Sequence, residues 1–349
     1  MRIAQVAPLA ESVPPTLYGG TERVVSWLTE DLVRRGHQVT LFASGDSKTR
    51  GELAAVVPRA LRLDPQIRDA QPYNCLLIDR VYERAEEFDV IHFHIELVHY
   101  PLFRAMADRM VTTLHGRLDL PDLHPFYRAF PDLPLVSISH AQRKPMPPVN
   151  WIATVHHGMS KDLFRPGNGG DYFAFLGRIC PEKGIEDAIE IAERSGITLK
   201  IAAKIDMQDR CYYESRVRPL IRASRHVEFI GEIGDREKNE FLGQAKALLF
   251  PICWPEPFGL VMIESAACGS PVIAYNCGSV PEIVEDGVTG FIVGNVDEAV
   301  QALQQLDALD RGQIRRRFEQ RFTVERMTSK YLDVYSRLLE SRLEATEAA

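Results

Sequence analysis

The chain has 349 residues, 45% hydrophobic and 26% charged, a globular composition with length enough for two domain cores. Its 41 basic and 48 acidic side chains leave a net charge of −7, which argues against a nucleic-acid binder. No apolar run reaches the roughly 18–20 residues that cross a bilayer. The start, MRIAQVAPLAE, lacks the basic opening, long apolar stretch and small-residue cleavage site of a secretory leader. The six cysteines (75, 180, 211, 253, 268 and 277) show no Cys-x-x-Cys pair and no zinc spacing. A cytoplasmic protein with reduced thiols is therefore expected.

In chain order, the first half predicts strands at MRIAQVA, QVTLFAS, DVIHFH, MVTTLHG, LVSIS and IATVHHG, with a helix over Thr21–Arg35. Residues 156–171, HHGMSKDLFRPGNGGD, are rich in Gly, Pro and polar side chains and predict a boundary between domains 1–157 and 158–322. The second half predicts strands at YFAFLGR, TLKIAAK, HVEFIGE, KALLFPI, PVIAYN and GFIV. Between them stand helix patterns over Gly184–Ser195, Tyr212–Ala223, Lys238–Ala245 and Phe258–Cys268. Such alternation predicts an α/β fold of two Rossmann-like doubly wound domains. At the end, Met327, Tyr331, Val334, Tyr335 and Leu338 form the stripe of a helix over Thr323–Leu339, capped by Thr323.

The sharpest motif runs from Trp254 to Ile283. Glu256 ends a strand, and Pro257, Phe258 and Gly259 lead into a helix, where bare N–H groups favour anions. In open α/β sheets ligands sit beyond the carboxyl ends of strands. Glu264 follows Glu256 by about two helical turns, so both carboxylates can face one site. A second loop, Cys277–Pro281, again joins strand to helix. Either carboxylate alone reads as an ordinary surface acid; the pair in this setting reads as a site. Arg178 and Lys183 flank another strand-to-helix turn and read as a diphosphate clamp. Gly19 and Gly20 can offer backbone N–H groups to a phosphate or sugar oxygen. The spacing there is not GxGxxG, so a dinucleotide site has little support.

His115 ends a strand where a cleft between domains is expected. His92 and His94 alternate on another strand and share a face. No acid joins them at a ligand-like spacing, so metal binding is not expected; His94 reads as a cleft residue and His92 as buried. His156 and His157 fall at the hinge without an assigned role. Arg311, Arg315, Arg316, Arg317 and Arg321, with Glu319 among them, read as the solvated face of a helix.

These segments together resemble the family 4 glycosyltransferases of the GT-B fold (glycosyl transferases group 1) over nearly the whole chain. The resemblance rests on EPFGLVMIE (Glu256–Glu264), GRICPEKG (Gly177–Gly184), the Gly19–Gly20 loop, TLHG ending in His115-Gly116, and GSVPEIVEDGVTGFIV. It implies two Rossmann-like domains facing a central cleft, an acceptor domain first and a nucleotide-sugar donor domain second, with segment 323–349 packed back on the first. Glu256 and His115 would be catalytic, beside the transferred sugar. Arg178, Lys183, Gly19, Gly20 and Leu260 would hold the diphosphate, and Pro257, Phe258 and Gly259 the sugar. Glu264 would take the ribose, Ile230 would border the base and Lys204 would reach the nucleotide. The chain departs from the family at Ala202-Ala203-Lys204, where many members carry glycines.

The activity implied is a retaining, metal-independent hexosyltransferase without a cofactor. A UDP-sugar is the leading donor, and a sugar, glycan or lipid-linked molecule the acceptor. No nucleic-acid partner is expected, and at most a weak peripheral membrane contact; oligomeric state is left open. A sugar-nucleotide epimerase of the same fold is the competing enzyme, and a two-domain solute- or nucleotide-binding protein the non-catalytic alternative.

Overall fold

In the computed structural model, which describes residues 1–17 and 19–347, the chain divides into two units. One is Met1–Ser160 with the segment from Thr323 onward, and the other is Lys161–Phe322.

The first unit contains β1 (Arg2–Val6), α1 (Gly20–Arg34), β2 (Gln38–Ser44), β3 (Glu52–Val57), α2 (Gln71–Glu83), β4 (Val90–Phe93), β5 (Met110–Thr113), β6 (Leu135–Ser137) and β7 (Trp151–Thr154). Their sheet has the order β3-β2-β1-β4-β5-β6-β7, with parallel pairing throughout, Ile3 opposing both Val39 and Val90. A parallel sheet is covered on both faces, so its inner strands are apolar nearly end to end; β2 is buried from Val39 to Ser44. Helix α1 contributes Val24, Val25, Leu28 and Leu32, all buried and spaced for one helical face. Strand β3 and helix α2 are additions to the sequence reading. The edge strand β3 alternates neither in polarity nor in burial, and α2 buries only Leu77, Ile78 and Val81.

The second unit contains β8 (Tyr172–Arg178), α3 (Ile185–Ser195), β9 (Thr198–Lys204), β10 (Val227–Gly231), α4 (Asp235–Gly243), β11 (Ala245–Phe250), α5 (Leu260–Ala267), β12 (Val272–Tyr275), β13 (Gly290–Val293) and α6 (Arg311–Arg321). Its parallel sheet has the order β10-β9-β8-β11-β12-β13. Phe173, Phe175, Ile189, Ile201 and Leu249 centre the core between sheet and helices. The predicted Tyr212–Ala223 helix is present but contains a π-helical stretch over Tyr213–Val217, just before Pro219. Proline lacks the N–H that an α-turn would use there, and a wider turn accommodates it.

In both sheets the strand order reverses once, between β1 and β4 and between β8 and β11. Those are the places where doubly wound sheets open a crevice for ligands.

The last helix, α7 (Val324–Glu347), belongs to the first unit. It buries Met327, Tyr331, Val334 and Tyr335. Its start is pinned by Val324 N–H to Met159 O at 3.0 Å. At Gly158 an added Cβ would stand 2.1 Å from Thr323 O, so only glycine fits this approach.

The arginines of α6 correct the reading of a solvated face. Arg311 donates to the carbonyls of Gly167, Gly243 and Ala245 at 2.9–3.1 Å. Arg315 donates to those of Lys161, Phe164 and Ala267. Arg321 reaches Glu282 O, Ile283 O and the Glu285 carboxylate. Arg316 alone of the five is exposed, and Arg317 pairs with Glu285. The helix is where the sequence put it, but Arg311, Arg315 and Arg321 turn to backbone carbonyls of neighbouring segments rather than to solvent. Among the described residues no helix is long and apolar enough to cross a membrane.

Candidate functional site

In the second unit the predicted site residues lie at the ends of β8 and β9, on β10, and on the loops and helix that follow β8 and β11. Arg178 is the last residue of β8 and stands in register with Lys204, the last of β9. Asp206 lies between them, 3.7 Å from the Arg178 guanidinium and 3.0 Å from Lys204 Nζ, and Asp209 is 3.4 Å from Arg178. After Cys180 the chain makes a 3-10 turn over Pro181–Lys183 and enters α3 through Gly184 at φ 69°. A Cβ there would stand 1.9 Å from Pro251 O, and Cys253 N–H donates to Glu182 O at 3.0 Å. The β8 and β11 loops are therefore in direct backbone contact.

That contact brings Lys183 Nζ to 2.5 Å from Glu256 Oε2. The same ammonium lies 5.5 Å from the ring centres of Phe250 and Trp254, within cation–π range. Glu256 is only 8% exposed. Its backbone is fixed from the second predicted loop: Ser279 N–H donates to Glu256 O at 2.9 Å, and Ser279 Oγ–H to Phe258 O at 2.9 Å. Gly278, at φ 57°, lies so close that a Cβ would come within 2.3 Å of Glu256 N. Pro257 is buried. The Phe258 ring is core, packed edge-on against Phe322, which leaves its backbone as the part able to meet a ligand. Gly259, at φ 77°, opens α5, and Leu260 is its partly buried first residue.

Glu264 follows on α5, buried, and accepts from Lys238 Nζ at 2.9 Å. The two carboxylates thus have separate lysine partners, on separate elements. Sequence reading put Lys238 in a helix but gave it no role; a contact across 26 positions between two helices leaves no spacing signal. Ile230 is on the edge strand β10, two strands from β8 and 39% exposed. Among the described residues no hydrogen bond joins it to the carboxylates or their lysines.

In the first unit Gly19 has φ 148° and Gly20 begins α1. Tyr18 lies outside the described residues. Glu22 is buried in the first turn of α1, and burial raises its pKa above the usual carboxylate range. A carboxyl group already occupies this helix start, which the sequence reading overlooked.

His115 follows β5 in the same unit. His94 Nδ1 lies 2.8 Å from His115 Nε2, and His94 Nε2 lies 2.9 Å from Gln5 Oε1. Gln5 Nε2–H donates to Tyr335 Oη at 3.1 Å. His92 joins the far side, with Nδ1 2.7 Å from Tyr335 Oη and Nε2 2.7 Å from Thr113 Oγ1. Burial holds the His115 pKa down at about 3 and those of His92 and His94 well below the usual value, so all three are neutral. His157 stacks on His115 with ring centres 5.2 Å apart. Glu96, a non-glycine residue at φ 58°, accepts from the backbone N–H of His115 and Gly116, each at 3.0 Å. His94, Glu96 and His115 line a cavity of about 550 Å³ together with Leu9, Arg62 and Arg68. Among the described residues no three His, Cys, Asp or Glu side chains are grouped as metal ligands.

Residues 18–165 match the family model described as Glycosyltransferase Family 4, and residues 162–322 that described as Glycosyl transferases group 1. O-antigen chain mannosyltransferase C of Escherichia coli is 24% identical over 94% of this chain and 97% of its own length. Glycogen synthase of Mycobacterium tuberculosis is 35% identical over 42% of this chain, a match that spans 36% of that enzyme. The structure of Anabaena HepE in complex with UDP and glucose has a TM-score of 0.74 at 20% identity, covering 97% of this chain and 100% of that one. That likeness is one of fold, two Rossmann-like α/β domains of the GT-B type.

Proposed function

Because the chain belongs to the family 4 glycosyltransferases, we propose that it moves a hexose from a nucleoside-diphosphate sugar to a hydroxyl of a sugar, glycan or lipid-linked acceptor, with retention and without a metal ion. The observation that carries this reading is the Lys183–Glu256 pair where the second sheet reverses its order. A cation and a buried carboxylate there suit the two charges of the reaction. As the bond from the anomeric carbon to the diphosphate oxygen breaks, the leaving group gains negative charge. Lys183, Arg178 and the N–H groups at Gly259–Leu260 are the groups that stabilise it. The sugar turns oxocarbenium-like, and the Glu256 carboxylate stabilises that positive charge. The new bond forms to the acceptor oxygen on the same face, and the acceptor proton leaves with the phosphate.

In this reading Lys183 releases Glu256 to take the diphosphate. Glu264 accepts from the ribose hydroxyls, and Lys204 and Ile230 lie toward the nucleotide. Gly19 and Gly20 contribute backbone N–H groups, His115 receives a sugar hydroxyl, and the cavity of the first unit takes the acceptor. A UDP-sugar is favoured as donor by the likeness to HepE, which was solved with UDP and glucose. A mannose donor is the second reading, favoured by the Escherichia coli mannosyltransferase.

The test is incubation of the full chain with UDP-glucose and with GDP-mannose across a panel of sugar acceptors, with the anomeric configuration of the product read by NMR. Transfer with retained configuration, unaffected by EDTA, is expected. Loss of activity with EDTA, restored by magnesium, contradicts the metal-free mechanism. An epimerised nucleotide sugar without transfer identifies the epimerase instead.

A further inference from the structure

The hydrogen bonds that run from α7 to His115 have a direction. Gln5 lies between Tyr335 and His94, its Nε2–H donating to Tyr335 Oη and its Oε1 facing His94 Nε2. An amide oxygen only accepts, so His94 carries its proton on Nε2. His94 is neutral in its buried setting, which leaves Nδ1 as an acceptor. Its partner at 2.8 Å, His115 Nε2, must then be the donor. One ring nitrogen fixes the state of the other, so His115 Nδ1 is unprotonated. That atom is buried and has no hydrogen-bond partner among the described residues.

The other side of Tyr335 agrees. Its hydroxyl accepts from Gln5 and so donates to His92 Nδ1. His92 Nε2–H then donates to Thr113 Oγ1, which donates to Tyr331 Oη at 3.0 Å. Every bond is made in this sense, and the proton left over is that of the Tyr331 hydroxyl at the end of the chain. With the Gln5 amide reversed, each bond could reverse as well, but His115 would then bury an N–H with no acceptor. Each sense leaves one donor over, but the Tyr331 hydroxyl proton can rotate toward another acceptor, whereas the ring N–H of His115 would be fixed, buried and unpaired.

We propose that α7 sets the tautomer of His115: Tyr335, Gln5 and His94 are positioning residues that keep the proton on His115 Nε2 and leave Nδ1 as an acceptor for a substrate hydroxyl. The hydroxyl is an alcohol of either the transferred sugar or the acceptor. This use of Nδ1 rests on the transferase reading; the tautomer itself does not. The device makes one face of the first unit's site depend on a helix that follows the whole second unit in sequence.

The test is tautomer-resolved nitrogen NMR on the full chain with ¹⁵N-labelled histidine, assigned with His115→Gln. The wild type is expected to show His94 and His115 each protonated on Nε2, with His115 Nδ1 a pyridine-type nitrogen. Tyr335→Phe removes the hydroxyl that orients Gln5 and is expected to mix the His115 tautomers. Tyr331→Phe removes an equally buried hydroxyl from the same helix, at the terminal acceptor of the chain, and is expected to leave His115 as it was. Gln5→Met removes the acceptor for His94 and is expected to match Tyr335→Phe, which keeps the test open if that variant does not fold. In transfer assays Tyr335→Phe should lower kcat about tenfold, the loss of one net hydrogen bond, with donor KM unchanged, while Tyr331→Phe should not. Deoxy analogues of donor and of acceptor then identify the hydroxyl, since the one bound to Nδ1 loses its sensitivity to Tyr335→Phe when removed.

A wild-type His115 protonated on Nδ1 overturns the proposal. So does an equal effect of the Tyr331 and Tyr335 variants on the His115 spectrum. Absence of any transfer with the expected tautomer present would overturn the substrate role of Nδ1 and the transferase reading together, and would leave the tautomer assignment standing.

Discussion

Lys183 and Glu256 form a 2.5 Å ion pair between the loop that leaves β8 and the loop that leaves β11. Removing either partner tests a different charge. Lys183→Ala is expected to lower turnover about 10²–10³-fold, the scale of one preorganised electrostatic group, and to weaken diphosphate binding. Glu256→Gln is expected to lower kcat while diphosphate binding is kept or tightened, because the ammonium is released. Arg178→Ala should resemble Lys183→Ala. Steady-state kinetics beside calorimetric titration with UDP separates these outcomes; wild-type rates in both cation variants would remove the clamp assignment.

Glu264 and Lys238 make the second pair. Ribose contacts differ little between ground and transition state, so their loss acts on binding. Glu264→Ala is expected to weaken UDP binding about tenfold, one net hydrogen bond, with kcat near wild type at saturating donor. Lys238→Met leaves the buried Glu264 carboxylate without its cation, and a lower melting temperature is expected. If Glu264→Ala lowers kcat and spares binding, the two carboxylates have been assigned in the wrong order.

Arg311 is a structural residue. Its guanidinium satisfies three carbonyls from two separate stretches of chain. Arg311→Met is expected to destabilise the second unit by about 3 kcal/mol, since each buried acceptor left unpaired costs about 1–3 kcal/mol. The exposed Arg316 should tolerate alanine within about 0.5 kcal/mol. Denaturant unfolding of the two variants measures the difference, and equal midpoints would restore the solvated-face reading.

Acid should act on the first unit. Burial lowers the folded-state pKa of His92, His94, His99, His115 and His157, that of His115 to about 3. The unfolded state, with a histidine pKa of about 6.5, then binds more protons than the folded one. The stability tied to these groups is complete above that pH. It is lost as pH falls toward the folded values, by about 1.4 kcal/mol per pH unit for each histidine still neutral. Glu22 and Glu96, whose pKa values burial raises, oppose this as pH falls, but they are two against five. The second unit has a single histidine, His226. Calorimetric scans from pH 7.5 to pH 5 are expected to lower the first unit's transition well before the second's. A common shift of both would contradict the assignment.

Much of this was legible in the sequence because a parallel strand buried on both faces is an apolar run, as in QVTLFAS and YFAFLGR, and because βα turns carry glycines where backbone passes close. Gly184, Gly259 and Gly278 mark such turns at positive φ. Strand β3 was not legible, being a half-exposed edge without alternation. The Lys238–Glu264 pair and the carbonyl contacts of Arg311 are tertiary, and no local pattern encodes them. His92 and His94 were correctly placed on one face, their ring centres 4.0 Å apart. That Gln5 and Tyr335 complete their network, from opposite ends of the chain, is a consequence of sheet order and of where α7 packs.

The most direct test of the central claim is calorimetric titration of the full chain with UDP, GDP and ADP, in the presence of EDTA, for the wild type and Lys183→Ala. The account predicts that at least one diphosphate, UDP first, binds without metal and that Lys183→Ala weakens it at least about tenfold, one charge-assisted hydrogen bond. Failure of all three to bind the wild type, or equal binding by wild type and variant, would contradict it.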